Sequence, residues 1–106
     1  MQAEAVFEAQ PGAAGAPACY RLRTPLTFAT VVAALRDQGL RLLAAGHDGV
    51  VFDLQQVTQV DSAGLALLVD WLAEARRSGV TLRYQQLPAG LLSLAKLSEV
   101  ESLITA

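Results

Sequence analysis

The stretch at residues 50–54, VVFDL, constrains the fold more than any other part of the sequence. It is a nearly continuous apolar run with β-branched entries, which is typical of an interior strand of a parallel sheet, buried on both faces. Parallel neighbours cannot be joined by a tight turn and need a crossover connection, usually a helix. A strand of this kind therefore predicts an α/β domain with helices between its strands.

Alternating and helical patterns divide the rest of the chain into further elements. Strands are predicted at residues 3–9, 18–23, 50–54 and 80–86, and helices at residues 28–45, 63–78 and 88–97. The run QPGAAGAP at 10–17 predicts a flexible hairpin loop, and residues 98–106 form either a last helix or a weakly ordered tail. The order β-β-α-β-α-β-α predicts a single domain over residues 1–106, with a mixed, mostly parallel four-stranded sheet and three to four helices.

The first predicted helix follows Pro25, which has no N–H to donate to a strand ladder. Thr27 is a suitable N-cap, so the helix is expected to begin at Phe28. The apolar residues that then repeat at helical spacing are Val31, Val32, Leu35, Leu42 and Leu43. Gly39, in the middle of this helix, weakens it by about 1 kcal/mol relative to alanine.

Composition limits the classes of function. The chain has 106 residues, 53% of them hydrophobic and 17% charged, which predicts one compact domain with a real core. A net charge of −2 without a basic block argues against a nucleic-acid partner. No apolar stretch reaches the roughly 20 residues of a spanning helix, and the N-terminus does not resemble a signal peptide. We expect a cytoplasmic protein with no direct membrane insertion.

The sequence lacks the constellations that enzymes require. It has neither a Gly-rich phosphate loop nor a dinucleotide turn, and one cysteine (Cys19) with one histidine (His47) cannot build a metal site. A Ser62–His47–Asp53 triad fails because His47 precedes the strand that Ser62 follows, so about ten extended residues at roughly 3.3 Å each separate the two. We therefore expect no enzyme activity, no cofactor and no metal.

The junction Asp61-Ser62-Ala63-Gly64 separates the apolar strand region from an apolar helix. Asp61 or Ser62 can cap that helix by accepting from a free backbone N–H. If Asp61 is the cap, Ser62 is the first helical residue and its hydroxyl faces solvent. Ala63 and Gly64 are small enough for a partner's backbone to approach. A phosphoryl group on Ser62 would be tolerated at a helix N-terminus, so the junction predicts an interaction switch.

The faces of the second helix leave two residues ambiguous. At 100° per residue, the stripe that faces the sheet consists of Leu65, Leu68, Val69, Leu72 and Ala75. Leu67 falls among the polar positions, and Trp71 flanks it. Either Trp71 packs against a neighbouring helix, or Leu67 and Trp71 are exposed anchors that form one patch with Ser62 and Ala63.

Residues 50–79, VVFDLQQVTQVDSAGLALLVDWLAEARRSG, resemble the strand, Asp-Ser/Thr-x-Gly loop and helix of STAS domains. That fold is shared by anti-sigma-factor antagonists and the C-terminal domains of sulfate transporters. Residues 25–35, PLTFATVVAAL, and residues 91–100, LLSLAKLSEV, are similar to MlaB-type members. The resemblance implies a small cytoplasmic subunit of the bacterial phospholipid-transport (Mla) ABC complex, which maintains outer-membrane lipid asymmetry.

In that group the loop and the following helix dock on the ATPase subunit (MlaF-like), which links the protein to the membrane permease. Ser62 stands at the matching hydroxyl position, which the resemblance implies is important for that contact. The resemblance implies a role in stabilising or activating the ATPase, peripheral to the inner membrane. The alternative is an anti-sigma-factor antagonist whose Ser62 is phosphorylated by a partner serine kinase. Thr27 stands where those antagonists commonly carry an acidic residue, which favours the MlaB-like reading.

Overall fold

The computed structural model describes residues 6–12, 15–46 and 49–105. Its strands are β1 (Phe7–Gln10), β2 (Ala18–Leu22), β3 (Val50–Asp53) and β4 (Leu82–Gln85). Its helices are α1 (Ala33–Ala45), α2 (Ser62–Arg77), α3 (Ala89–Leu97) and α4 (Glu101–Ile104). The start of the predicted first strand, the centre of the 10–17 loop, His47 and Ala106 lie outside the described residues.

The four strands form one sheet in the order β1-β2-β3-β4. β1 pairs antiparallel with β2, while β2, β3 and β4 run parallel to one another. The central β3 is the predicted apolar strand, and Val50 and Phe52 are buried on its core face. Val51 on the other face is only half-buried, so the strand is not fully buried on both faces as the sequence predicts. The predicted α/β class, with a mixed and mostly parallel four-stranded sheet and four helices in the expected order, is confirmed.

One face of the sheet carries the core, and the opposite face is mostly polar. The register aligns Phe7 with Leu22, and Phe52 with Tyr84, so that alternate side chains of the strands point into a common core. The Phe52 ring lies 5.0 Å from Phe7 and 5.4 Å from the Trp71 ring of α2, centroid to centroid. Aromatic packing thus joins the sheet to α2.

The first helix begins later than the sequence predicts. α1 starts at Ala33 rather than Phe28, and residues 28–30 form a separate turn. The hydroxyl of Thr30 donates to the Pro25 carbonyl oxygen and accepts from the Thr27 N–H, which closes this turn on itself. Thr27 therefore caps a turn and not α1, because side-chain hydrogen bonds compete with helical ones.

Residues 98–106 were expected to be a helix or a tail, and α4 occupies Glu101–Ile104 within them. Ile104 is only 1% exposed and packs into the core. The side of α4 that faces outward carries Leu103, which is 47% exposed. α4 lies against α2 and α3, so it helps to shape the surface beside α2.

Candidate functional site

Two loops meet at the carboxyl ends of the parallel strands. The loop after β2 lies beside the loop after β3, where Leu26 and Val60 form a parallel bridge. The Leu26 N–H donates to the Gln59 carbonyl oxygen at 2.8 Å, and the Asp61 N–H donates to the Leu26 carbonyl oxygen at 3.1 Å. These backbone bonds hold the Asp61-Ser62-Ala63-Gly64 junction against the 25–30 segment.

Asp61 is the N-cap of α2, as one of the predicted arrangements required. Its Oδ1 accepts from the N–H groups of Ala63, at 2.9 Å, and Gly64, at 3.2 Å. Its Oδ2 accepts from the Phe28 N–H at 2.9 Å, so one carboxylate ties both loops together. The pKa of Asp61 lies below its ordinary value, chiefly because of the Phe28 N–H and also because of the N–H groups of α2.

The lowered pKa makes the two-loop junction sensitive to acid. A carboxylate with a depressed pKa in the folded state contributes stability above its ordinary value of 3.8, and that contribution is lost as the pH falls through the lowered folded value. We expect the protection factors of the Phe28 and Gly64 amide protons, which are corrected for the intrinsic pH dependence of exchange, to fall as the wild-type protein is acidified below that value. Asp61→Asn keeps an oxygen acceptor but cannot titrate, so the pH dependence of these two protection factors should flatten. An unchanged dependence in this variant would contradict the assignment.

Ser62 is the first residue of α2 and its side chain is exposed. Asp61 already accepts hydrogen bonds from the first free N–H groups of the helix, so the Ser62 hydroxyl is not needed for capping. Within the described part of the chain, no group hydrogen-bonds to that hydroxyl. Ser62 therefore presents a free donor and acceptor at the positive end of a helix.

Gly64 packs against the interior of the protein and not against a surface where a partner could bind. It is buried, and a Cβ added to it would lie 2.0 Å from the Leu26 carbonyl oxygen. The expectation that Gly64 lets a partner's backbone approach is wrong, because the backbone that approaches is the chain's own 25–30 segment. Ala63 is half-buried and lies at the edge of the junction.

The proposed exposed anchors are also buried. Leu67 is 4% exposed and Trp71 is fully buried, so the interpretation of both as surface residues is wrong and the packing alternative for Trp71 holds. The Trp71 Nε1–H donates to the Arg36 carbonyl oxygen of α1 at 3.1 Å, and its indole covers Gly39. α1 packs beside α2, so α2 buries a wider face than the stripe that points to the sheet.

Two exposed apolar residues lie in the segment before α1, and one of them, Phe28, contacts the junction. Phe28 is 77% exposed although its N–H is fixed by Asp61, and Val32, the N-cap of α1, is 54% exposed. Helical periodicity places Phe28 and Val32 in the same predicted helix as Val31 and Leu35. The pattern therefore does not indicate that these two residues are exposed. The sequence signal for the turn that exposes Phe28 is the pair of threonines flanking it, at 27 and 30.

We call the surface formed by Phe28, Asp61 and Ser62 the docking face. This surface offers apolar area beside a free hydroxyl, a combination that is common in protein interfaces. Among residues 6–12, 15–46 and 49–105, no three His, Cys, Asp or Glu side chains are grouped to hold a metal ion. No helix in the same ranges has the length and apolar character needed to cross a membrane.

Comparison with models of protein families identifies a match. The family model described as "Mlab, STAS domain" matches residues 11–105, nearly the whole chain, including both loops of the junction. No curated protein matches this sequence. The matched range extends from the 10–17 loop through α4, so it covers every element except β1.

Proposed function

The chain belongs to the MlaB-type STAS-domain family, and on that premise we propose that it is an accessory subunit that docks on the ATPase subunit of a phospholipid-transport ABC complex. The family is generally non-catalytic, which supports a binding role. The chain acts on the cytoplasmic side of the inner membrane, which it reaches through the ATPase and the permease. Its role there supports outer-membrane lipid asymmetry.

The free hydroxyl of Ser62 is the observation that carries this proposal. It lies on the junction at the end of the sheet, on a backbone fixed by Asp61 and by the Leu26 bonds. A preorganised donor of this kind binds without the entropy loss of ordering a mobile loop. The family match supports the ATPase as the partner of this surface.

Phe28 supplies the apolar part of the contact. Full burial of a phenylalanine side chain is worth about 1.5–3 kcal/mol, and Phe28 gains little of that in the isolated chain because it is 77% exposed. Large aromatic residues at the centre of an interface commonly carry much of the binding energy. Phe28 therefore takes the anchoring role that the sequence had suggested for Leu67 and Trp71.

A bound accessory subunit stabilises the ATPase by mass action, because it binds the folded state and not the unfolded one. Any activation requires that the chain bind the active conformation more tightly than the inactive one. The proposal thus separates two roles, stabilisation and activation. Thermal unfolding of the ATPase and its ATP turnover, each measured with and without this chain, distinguish them.

Docking-face variants test the proposal. In pulldowns from detergent-solubilised membranes of the source cells, tagged wild-type protein is expected to retain an ABC ATPase and its permease. Ser62→Arg, Ser62→Asp and Phe28→Ala should each weaken ATPase binding by at least about ten-fold. The free energy of unfolding should stay within about 0.5 kcal/mol of wild type, because both side chains are exposed.

Matched controls are available on α3. Ser93 and Leu97 are exposed there. Ser93→Arg makes the same chemical change as Ser62→Arg, and Leu97→Ala removes an exposed apolar side chain as Phe28→Ala does, both outside the docking face. These two variants should bind as wild type does. Equal affinity for all the variants would overturn the assignment of the docking face, and an eluate without an ATPase would overturn the proposed function.

The second candidate function is that of an anti-sigma-factor antagonist. The observation in its favour is the same exposed Ser62 hydroxyl, since a phosphoryl group at a helix N-terminus meets a favourable dipole. This candidate predicts a serine kinase in the eluate and a fraction of the protein heavier by one phosphate. Intact mass of the protein purified from its own cells, with Ser62→Ala as the reference, decides between the two functions.

A further inference from the structure

The turn that carries Phe28 is fixed by hydrogen bonds along its whole backbone. All five consecutive backbone N–H groups of residues 27–31 have acceptors within the chain. Three of these N–H groups donate to side-chain oxygens, which belong to Thr27, Thr30 and Asp61. Connecting segments on a protein surface are ordinarily more mobile than the elements that they join, and these bonds restrain this one.

Thr30 makes the bonds that close the turn. Its Oγ1 accepts from the Thr27 N–H at 2.9 Å, and its hydroxyl donates to the Pro25 carbonyl oxygen. Its own N–H donates to the Thr27 carbonyl oxygen at 2.9 Å. One side chain therefore holds the segment from Pro25 to Thr30 in a single shape, and Phe28 lies inside that segment.

The two residues differ in what they offer to a partner. Thr30 is half-buried and its hydroxyl is engaged within the turn, whereas Phe28 is 77% exposed. The Thr30 bonds thus hold an aromatic side chain in a fixed position where it gains little burial. A contact residue that is fixed before binding loses less conformational entropy when the complex forms.

We propose that Thr30 is a positioning residue for docking, which fixes the turn that presents Phe28 to the ATPase and acts through Phe28 rather than through a contact of its own. This inference rests on the proposed function, because it takes Phe28 as a contact of the ATPase. The Asp61 carboxylate holds the same turn from the other loop, by accepting from the Phe28 N–H at 2.9 Å. Side chains from both loops therefore position Phe28 relative to Ser62.

Two substitutions at Thr30 test the role of its hydroxyl. Thr30→Val keeps the branched shape of threonine, but the Thr27 N–H loses its acceptor. The amide protection factors of Phe28 and Val31 should fall in this variant, and its affinity for the purified ATPase should weaken about five-fold, as for the loss of one hydrogen bond. Thr30→Ser keeps the hydroxyl, so its affinity should stay within about two-fold of wild type.

Thr105 provides the matched control. Its hydroxyl also donates to a backbone carbonyl oxygen, that of Glu101 in α4, at 2.9 Å. Thr105→Val therefore removes the same kind of bond outside the docking face. This variant should bind the ATPase as wild type does, and a loss equal to that of Thr30→Val would contradict the positioning role.

A double-mutant cycle with Phe28→Ala separates positioning from a general structural role. Because Thr30 acts through Phe28, adding Thr30→Val to Phe28→Ala should change the affinity by no more than about two-fold. Thr30→Val alone should lower the association rate constant and leave the dissociation rate constant unchanged, since only molecules with the turn formed can bind. Equal losses in both backgrounds, or a loss confined to the dissociation rate constant, would overturn the inference.

The inference and the proposed function fail in different ways. If wild type and Thr30→Val bind the ATPase equally well, the proposed function stands and the positioning role is wrong, whether or not the protection factors of the turn have fallen. If the pulldown retains a serine kinase in place of the ATPase, the proposed function is wrong. The same double-mutant cycle, measured with that kinase, then decides the positioning role.

Discussion

Replacing Trp71 with alanine is expected to lower the free energy of unfolding by about 3–5 kcal/mol, the usual cost of removing a fully buried large aromatic side chain. The indole touches the Phe7 and Phe52 rings, with centroids at 5.8 and 5.4 Å, and covers Gly39 of α1. The variant would lose these contacts and the Nε1–H bond to the Arg36 carbonyl oxygen. Denaturant unfolding followed by circular dichroism measures the loss.

Two comparisons define the role of Trp71. Trp71→Phe keeps an aromatic ring but loses the hydrogen bond, so its loss of stability should be smaller than that of Trp71→Ala. Leu97→Ala removes a side chain that is 84% exposed and should change stability by no more than about 0.5 kcal/mol. A Trp71→Ala variant with full stability and weakened ATPase binding would instead restore the surface role that the structure rejects.

The apolar strand β3 and the Asp61 cap could be predicted because each depends on neighbours in the sequence. A buried parallel strand needs a short apolar run, and VVFDL provides one. An N-cap needs an acceptor two or three residues before the N–H groups that it serves, and Asp61 stands at that distance from Ala63 and Gly64. Local chemistry decides both features.

The start of α1 and the environment of Trp71 depend on contacts between distant parts of the chain. Periodicity extends the first helix back to Phe28, but the Phe28 N–H is held by Asp61, far along the sequence. A helical wheel assigns one buried stripe to α2, whereas α1 covers a second one that includes Trp71. A sequence pattern shows that one face of a helix is apolar, but it does not show how many neighbouring helices or strands cover that face.

The same argument explains Val69 and Leu72, which are apolar in the pattern and half-buried in the structure. The sequence predicts their hydrophobic character, and the neighbours present in this chain cover only part of them. Leu67 shows the reverse case, because it lies among polar positions and is nevertheless buried at 4% exposure. The docking face emerges from the same kind of difference, because periodicity assigns Phe28 to a helix and the structure exposes it.

Gly64→Ala is expected to destabilise the protein by about 3 kcal/mol, at the upper end of the usual cost of overpacking. The added Cβ would lie 2.0 Å from the Leu26 carbonyl oxygen, and a backbone atom cannot rotate away as a side chain can. Relief requires the 25–30 segment to move, which would break the Asp61 N–H bond to Leu26 and displace Phe28. ATPase binding should therefore fall together with stability.

Gly90→Ala is the matched control, because Gly90 is also helical and a Cβ added to it meets nothing within 4 Å. This substitution should raise the free energy of unfolding by about 0.5 kcal/mol, since alanine loses less backbone entropy than glycine. The same chemical change is thus expected to have opposite signs at the two positions. Equal stability of the two variants would mean that the loops are not held together at Gly64, and the docking face could not then be preformed. A destabilised Gly64→Ala that still binds with wild-type affinity would separate the fold of the junction from its role in docking.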